Sequence, residues 1–231
     1  MRAVLILIVV LAVALVAGDR VAVVMAQDEI GRRVAAAYDL PRPPRVEIGG
    51  FPFLTQAVEG RYPRVDIRVG DWTGDDITVH ELNVRLDEVS APLSDLIDRR
   101  TENLIAATAT ATAVVPYDSV RVFAPEGVAT IDYGADGLRV TGTFPVRGVP
   151  VPAVVVVTVA PAEDGIQVTP VSAQSAVGGP AVPLSLLSGV LTFVVPLRQL
   201  PLGARLTEIQ PGADGLHVTA VAHDVPFAAG A

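Results

Sequence analysis

The sequence predicts an α+β protein, a helical N-terminal segment followed by antiparallel strands. Three observations predict it. An apolar run and then an amphipathic stretch at helical spacing open the chain. A period-two pattern takes over after a cluster of prolines. An Asp-Gly turn signature recurs three times in the second half.

The first element starts after Met1 and Arg2 with 15 unbroken apolar residues, Ala3 to Ala17. Gly18, Asp19 and Arg20 interrupt them, and Val21 to Ala26 resume. A bilayer-spanning helix needs about 20 apolar residues and a signal-peptide core about 7–15. Two readings lead for residues 1–26, a signal peptide cleaved at Val24-Met25-Ala26 or an uncleaved membrane anchor, with a buried core helix as the third. Asp19 and Arg20 fit awkwardly before such a cleavage site. Both readings put residues 27–231, taken as a single domain, outside the cytoplasm.

Asp28 to Asp39 continues as a helix. Val23, Ala26, Ile30, Val34 and Ala37 recur at three- and four-residue steps, with Asp28, Glu29, Arg32 and Arg33 on other faces. Pro41, Pro43 and Pro44 end it. The spacing allows this helix to run straight on from the apolar segment.

Strands follow. Val65, Ile67 and Val69 alternate with charged residues, as do Ile77 and Val79. Leu82, Val84 and Leu86 then continue in the opposite phase, which predicts a bulge near Glu81. Residues 106–115 alternate small and β-branched side chains. Asp136-Gly137, Asp164-Gly165 and Asp214-Gly215 each precede an alternating strand and follow strand-like residues. They predict three antiparallel hairpins, with glycine supplying positive φ in the turn. Val154 to Val159 is almost continuously apolar, which suggests strands covered on both faces, a sheet lining an apolar cavity, or an ordinary core. Pro92-Leu93-Ser94 and Pro183-Leu184-Ser185 are candidate helix starts. The second runs on through Leu187, Val190 and Phe193 without charge.

Composition narrows the function. The chain has 231 residues, 25 acids against 17 bases, and a net charge of −8. That balance disfavours a general nucleic-acid binder, which needs a basic face for phosphates. With no cysteine, thiol catalysis, disulfides and cysteine-ligated zinc are excluded. Every basic residue is arginine, so lysine-based P-loop and Schiff-base chemistry is excluded too. There is no Gly-x-Ser-x-Gly elbow. His80, His217 and His223 form no metal-ligand spacing; His80 beside Glu81 reads as a surface strand residue. The acid pairs Asp75-Asp76 and Glu163-Asp164 read as turns. No catalytic set, cofactor or metal is predicted.

The most informative stretch is Ile48-Gly49-Gly50-Phe51-Pro52-Phe53-Leu54-Thr55-Gln56. Two glycines allow a tight backbone path, a proline stiffens it, and two of the chain's six phenylalanines flank that proline. Such a rigid apolar wedge either plugs a core or touches a lipid. Arg61-Tyr62-Pro63-Arg64 follows, with two guanidinium forks of the kind that hold a phosphate, or else solvated strand charge.

The order of these elements resembles the LmeA-like phospholipid-binding proteins of actinobacterial cell envelopes. The stretches that carry it are Val46 to Gln56, Gly60-Arg61-Tyr62, Pro92 to Leu96, Ala113 to Tyr117, Val140 to Thr143 and Gly215 to Thr219. The resemblance implies a curved antiparallel sheet wrapped around a long N-terminal helix, similar to tubular (BPI-like) lipid-binding half-domains, with an apolar groove. It implies a secreted or membrane-anchored, non-enzymatic protein of the periplasm or envelope. The implied ligand is a phospholipid, phosphatidylinositol-type among the candidates, and the implied context is lipoglycan (lipomannan-type) biosynthesis. On physical grounds the acyl chains would meet Phe51, Phe53, Leu54, Leu187, Val190 and Phe193, and the headgroup Arg61 and Arg64. Two other classes remain: a non-catalytic scaffold for an envelope glycosyltransferase, and an enzyme acting on lipid. The first expects a filled core with an exposed apolar patch; the second needs a convergent polar cluster.

Overall fold

The apolar run and the amphipathic stretch are one helix. In the computed structural model, which describes residues 2–74, 77–92, 104–146, 149–162, 165–176, 192–196, 200 and 203–226, α1 runs unbroken from Arg2 to Ala37. Beyond it come β1 (Arg45–Ile48), α2 (Phe53–Glu59), β2 (Arg61–Thr73), β3 (Thr78–Ser90) and β4 (Ile105–Val115). Then follow α3 (Tyr117–Arg121), β5 (Val128–Gly134), β6 (Gly137–Val146), β7 (Val149–Ala162) and β8 (Gly165–Ser175). β9 (Phe193–Pro196), β10 (Arg205–Gly212) and β11 (Gly215–Pro226) complete the described elements. The strands form two antiparallel sheets, in the orders β1-β2-β3-β4-β11-β10 and β5-β6-β7-β8-β9. The protein is α+β, as the patterning predicts.

The chain divides into two compact units. The first holds residues 1–70, 83–110 and 222–231; the second holds 71–82 and 111–221.

In the first unit, α1 packs on β1 and α2 through its C-terminal half. Gly31 makes the approach possible, because a Cβ there would meet the Pro44 carbonyl oxygen at 2.9 Å. Val23, Val46, Phe53, Tyr62, Val65 and Leu86 are buried in this unit. Three of its arginines pair across strands: Arg68 with Glu47 (2.7 Å), Arg85 with Asp66 (2.9 Å) and Arg64 with Asp87 (3.4 Å). At Glu81, where the phase change predicts a bulge, β3 lies in the second unit and the residue adopts a φ of 53°.

In the second unit, all three predicted hairpins form. Gly134 pairs with Gly137, Ala162 with Gly165, and Gly212 with Gly215. One detail differs from expectation. The glycine is the first residue of the return strand, rather than a central residue of the turn. The expected positive φ is present at all three glycines, and close approach adds to it: a Cβ at Gly137 would stand 2.6 Å from the Val157 carbonyl oxygen, and one at Gly215 2.4 Å from that of Val115.

The apolar run in β7 has one buried face. Ala153, Val155 and Val157 are buried, whereas Val154 and Val156 are half-buried between Thr141 and Gln174 and between Arg139 and Ser172. Valine is chosen here for its fit to a pleated strand, and the ordinary-core reading holds over a doubly covered sheet. Leu138, Val140, Phe144, Val155, Ile209 and Leu216 join in one cluster that β6, β7, β10 and β11 share. Each such side chain contributes about 1.5–3 kcal/mol on burial.

Candidate functional site

The Gly-Gly-Phe-Pro-Phe-Leu stretch lies in the first unit, leads from β1 into α2 and contacts α1 at Asp19 and Arg20. Its path is set by Gln56, which is buried. In the amide orientation that satisfies both groups, its nitrogen donates to the Gly49 carbonyl (3.0 Å) and its oxygen accepts from the Phe51 N–H (3.2 Å). Gly50 has a φ of 90° and passes so close that a Cβ would stand 2.6 Å from the end of the Gln56 side-chain amide. Only glycine fits both demands. The Phe51–Pro52 peptide is cis.

The two phenylalanines diverge. Phe53 is buried, with its ring centroid 6.2 Å from that of Tyr62. Phe51 is 60% exposed, and the Arg20 guanidinium lies 5.0 Å from its ring centroid. The wedge is thus both core plug and surface group, one ring for each. Leu54 and Val58 stand one turn apart on the outer face of α2, and both are exposed.

Pro52 offers no side-chain cap to α2, and the cap comes from another helix. Asp19 is 2% exposed, and its Oδ1 accepts the Leu54 N–H at 2.8 Å. Arg20 pairs with its other oxygen at 2.5 Å. A carboxylate over the first turn of a helix answers the unpaired N–H groups there. The two charges that interrupt the apolar run therefore have partners, and those partners lie in the Gly-Gly-Phe-Pro-Phe-Leu stretch. Neither Asp19 nor Arg20 is among the residues the sequence singles out for this site, nor is Gln56. The signal for the first two was their position, a charged pair in an otherwise unbroken apolar segment.

Arg61 opens β2 and is exposed; it makes no ion pair among the described residues. Arg64 is exposed as well and is engaged by Asp87. Leu187 and Val190 lie outside the described residues. Phe193 begins β9, which pairs with β8, so the segment ends in a strand. Asp75-Asp76, Glu163-Asp164 and the stretch after Pro92 also lie outside the described residues.

The histidines do not converge. His80 pairs with Asp71 at 2.9 Å, His217 with Asp214 at 2.8 Å, and His223 Nδ1 lies 3.4 Å from the Thr108 hydroxyl. His217 and His223 belong to different units. Among the described residues no group of three His, Asp or Glu is placed to hold a metal ion. An open depression of about 390 Å³ in the second unit is lined by Thr73, Thr78, Asp118 and Ser119. Ser119 Oγ accepts the Thr78 N–H there at 3.3 Å, and no histidine is among the described lining.

Residues 17–221 match the sequence model of a family described as LmeA-like phospholipid-binding. No curated protein and no solved structure matches at a significant level.

Proposed function

Because the chain belongs to the LmeA-like phospholipid-binding family, we propose that it holds a phospholipid outside the cytoplasm, acyl chains in an apolar groove and headgroup at the rim. The observation that carries this reading is the family match, which spans nearly the whole chain. The composition supports it. Acyl chains need buried area rather than stacking, and each buried methylene is worth about 0.8 kcal/mol. An interior rich in valine, alanine and leucine with 5% aromatics suits that requirement.

The mechanism is passive. The lipid enters by desolvating its tails, and no bond is made or broken. Exposed Phe51 and Leu54 of the first unit meet acyl chains in this proposal, as do, separately, Leu187, Val190 and Phe193, while buried Phe53 fixes the loop. Arg61 takes the phosphate; Arg64 joins it when released by Asp87. A phosphatidylinositol-type headgroup and a supporting role in lipoglycan synthesis at the envelope belong to the same proposal. A scaffold for an envelope glycosyltransferase is the alternative, and the exposed apolar set Phe51, Leu54 and Val58 is the observation that favours it.

Uptake of a phospholipid with a fluorescent acyl chain tests the reading. The chain is expected to bind it and to release it to unlabelled phospholipid. Arg61→Ala should weaken binding of an anionic phospholipid about tenfold, roughly 1.4 kcal/mol, as expected for one charge-assisted contact. No uptake by the full chain would move the assignment to the scaffold.

A further inference from the structure

The N-terminal helix poses a length problem. Ala3 to Ala17 is 15 residues, or about 22 Å of helix, against a hydrocarbon core of about 30 Å. Continuing to Met25 reaches about 35 Å, but Asp19 and Arg20 then fall inside the span. A free charge pair at that depth is costly.

The structure covers Asp19 and pairs it with Arg20, whose own side chain stays half exposed. Asp19 is buried under α2, bonded to the Leu54 N–H and to Arg20. Arg20 is stacked on Phe51. Around the half-exposed Arg20 the large exposed side chains are apolar: Val21, Val24 and Met25 on α1, and Phe51 and Leu54 at the start of α2. On α1 they resume the surface of the 15-residue run after Gly18 and Arg20, and the next charges along the helix are Asp28 and Glu29.

We infer that α1 is retained as an anchor and that Phe51 and Leu54, with Val21, Val24 and Met25, form an apolar collar seated in the leaflet from which the helix emerges. The partner is the lipid bilayer around the protein's own helix, and the argument is that exposed apolar surface resumes directly beyond Arg20, whose charge is paired with Asp19. Arg20 can reach the phosphate level from this position by its flexible stem. Cleavage after Ala26 is incompatible with the arrangement. It would remove Asp19, Arg20 and the buried Val23, leaving the Leu54 N–H without its acceptor and Phe51 without its cation. The family match also starts upstream of Asp19, at residue 17. The inference rests on the membrane-side reading of the protein proposed above, and adds how the domain is held to the surface from which it takes lipid.

The chain has no cysteine, so single nitroxide labels can be placed at Phe51→Cys, Leu54→Cys and Ala36→Cys. The last is exposed on α1 about 25 Å beyond Asp19. The full chain is reconstituted in vesicles of phosphatidylcholine and phosphatidylglycerol, and each label is read for collision with oxygen and with a water-soluble nickel chelate. Labels at 51 and 54 should collide readily with oxygen and little with nickel, the signature of hydrocarbon; burial in protein would suppress both. The label at 36 should favour nickel. The intact mass of protein taken from bacterial envelopes should include Asp19. A mature N-terminus at Gln27, or nickel access at 51 and 54 equal to that at 36, overturns the inference. Phospholipid co-extracted from a chain whose labels are aqueous would overturn the collar and leave lipid binding standing. Inserted labels on a chain that carries no phospholipid would do the reverse.

Discussion

Asp19 and Tyr117 show how single polar groups fix this fold. Asp19 caps a helix 35 residues away in sequence. Asp19→Ala should lower the thermal midpoint and speed amide exchange at Leu54, whereas Asp19→Asn, which keeps an acceptor oxygen, should retain part of the protection. Tyr117 donates its hydroxyl proton to the Gly212 carbonyl at 2.6 Å, and burial pushes its phenol up. Tyr117→Phe should cost about 0.5–1.5 kcal/mol in denaturant unfolding, the net worth of one hydrogen bond. On the same hairpin, the hydrogen bond from His217 holds the Asp214 carboxyl below the usual carboxylate range. A lowered value means that this contribution is present above the ordinary carboxylate pKa and is lost as pH falls through the lowered one. His217→Ala should therefore move the Asp214 titration, followed by carbon NMR, up toward its ordinary position.

At the scale of elements, the hairpins were legible because their signals are local. A two-residue connection flanked by alternating strands is written in adjacent residues, and so is the phase change at Glu81. The positive φ expected of each glycine is there; what escaped was the second reason for it. Gly137 and Gly215 are required by the backbone of a neighbouring strand, which no short window of sequence contains. Gly215→Ala, at a φ of 149° and 2.4 Å from the Val115 carbonyl oxygen, should destabilise by more than about 1 kcal/mol. Gly31→Ala tests the packing of α1 on β1 in the same way. Helix propensity alone favours alanine, so a net loss of stability would report the contact with Pro44. The candidate site was half legible. The two glycines and two phenylalanines marked the loop, but period and composition could not say that Phe53 turns inward and Phe51 outward. That choice depends on Tyr62, Gln56 and Arg20, which come from three other positions in the chain.

For the molecule as a whole, the α+β class followed from patterning, whereas the ligand class came from likeness to a family. The difference has a physical cause. Acyl chains are held by non-directional burial, which any sufficiently large aliphatic surface supplies. Such a site leaves no spacing of ligating or nucleophilic residues to read. The same reasoning sets the central test, native mass spectrometry of the full chain isolated from bacterial envelopes, with extraction of whatever lipid it carries. One phospholipid per chain is the expected result, and its headgroup identifies the class of substrate. A chain that arrives empty and takes up no added phospholipid would contradict the account.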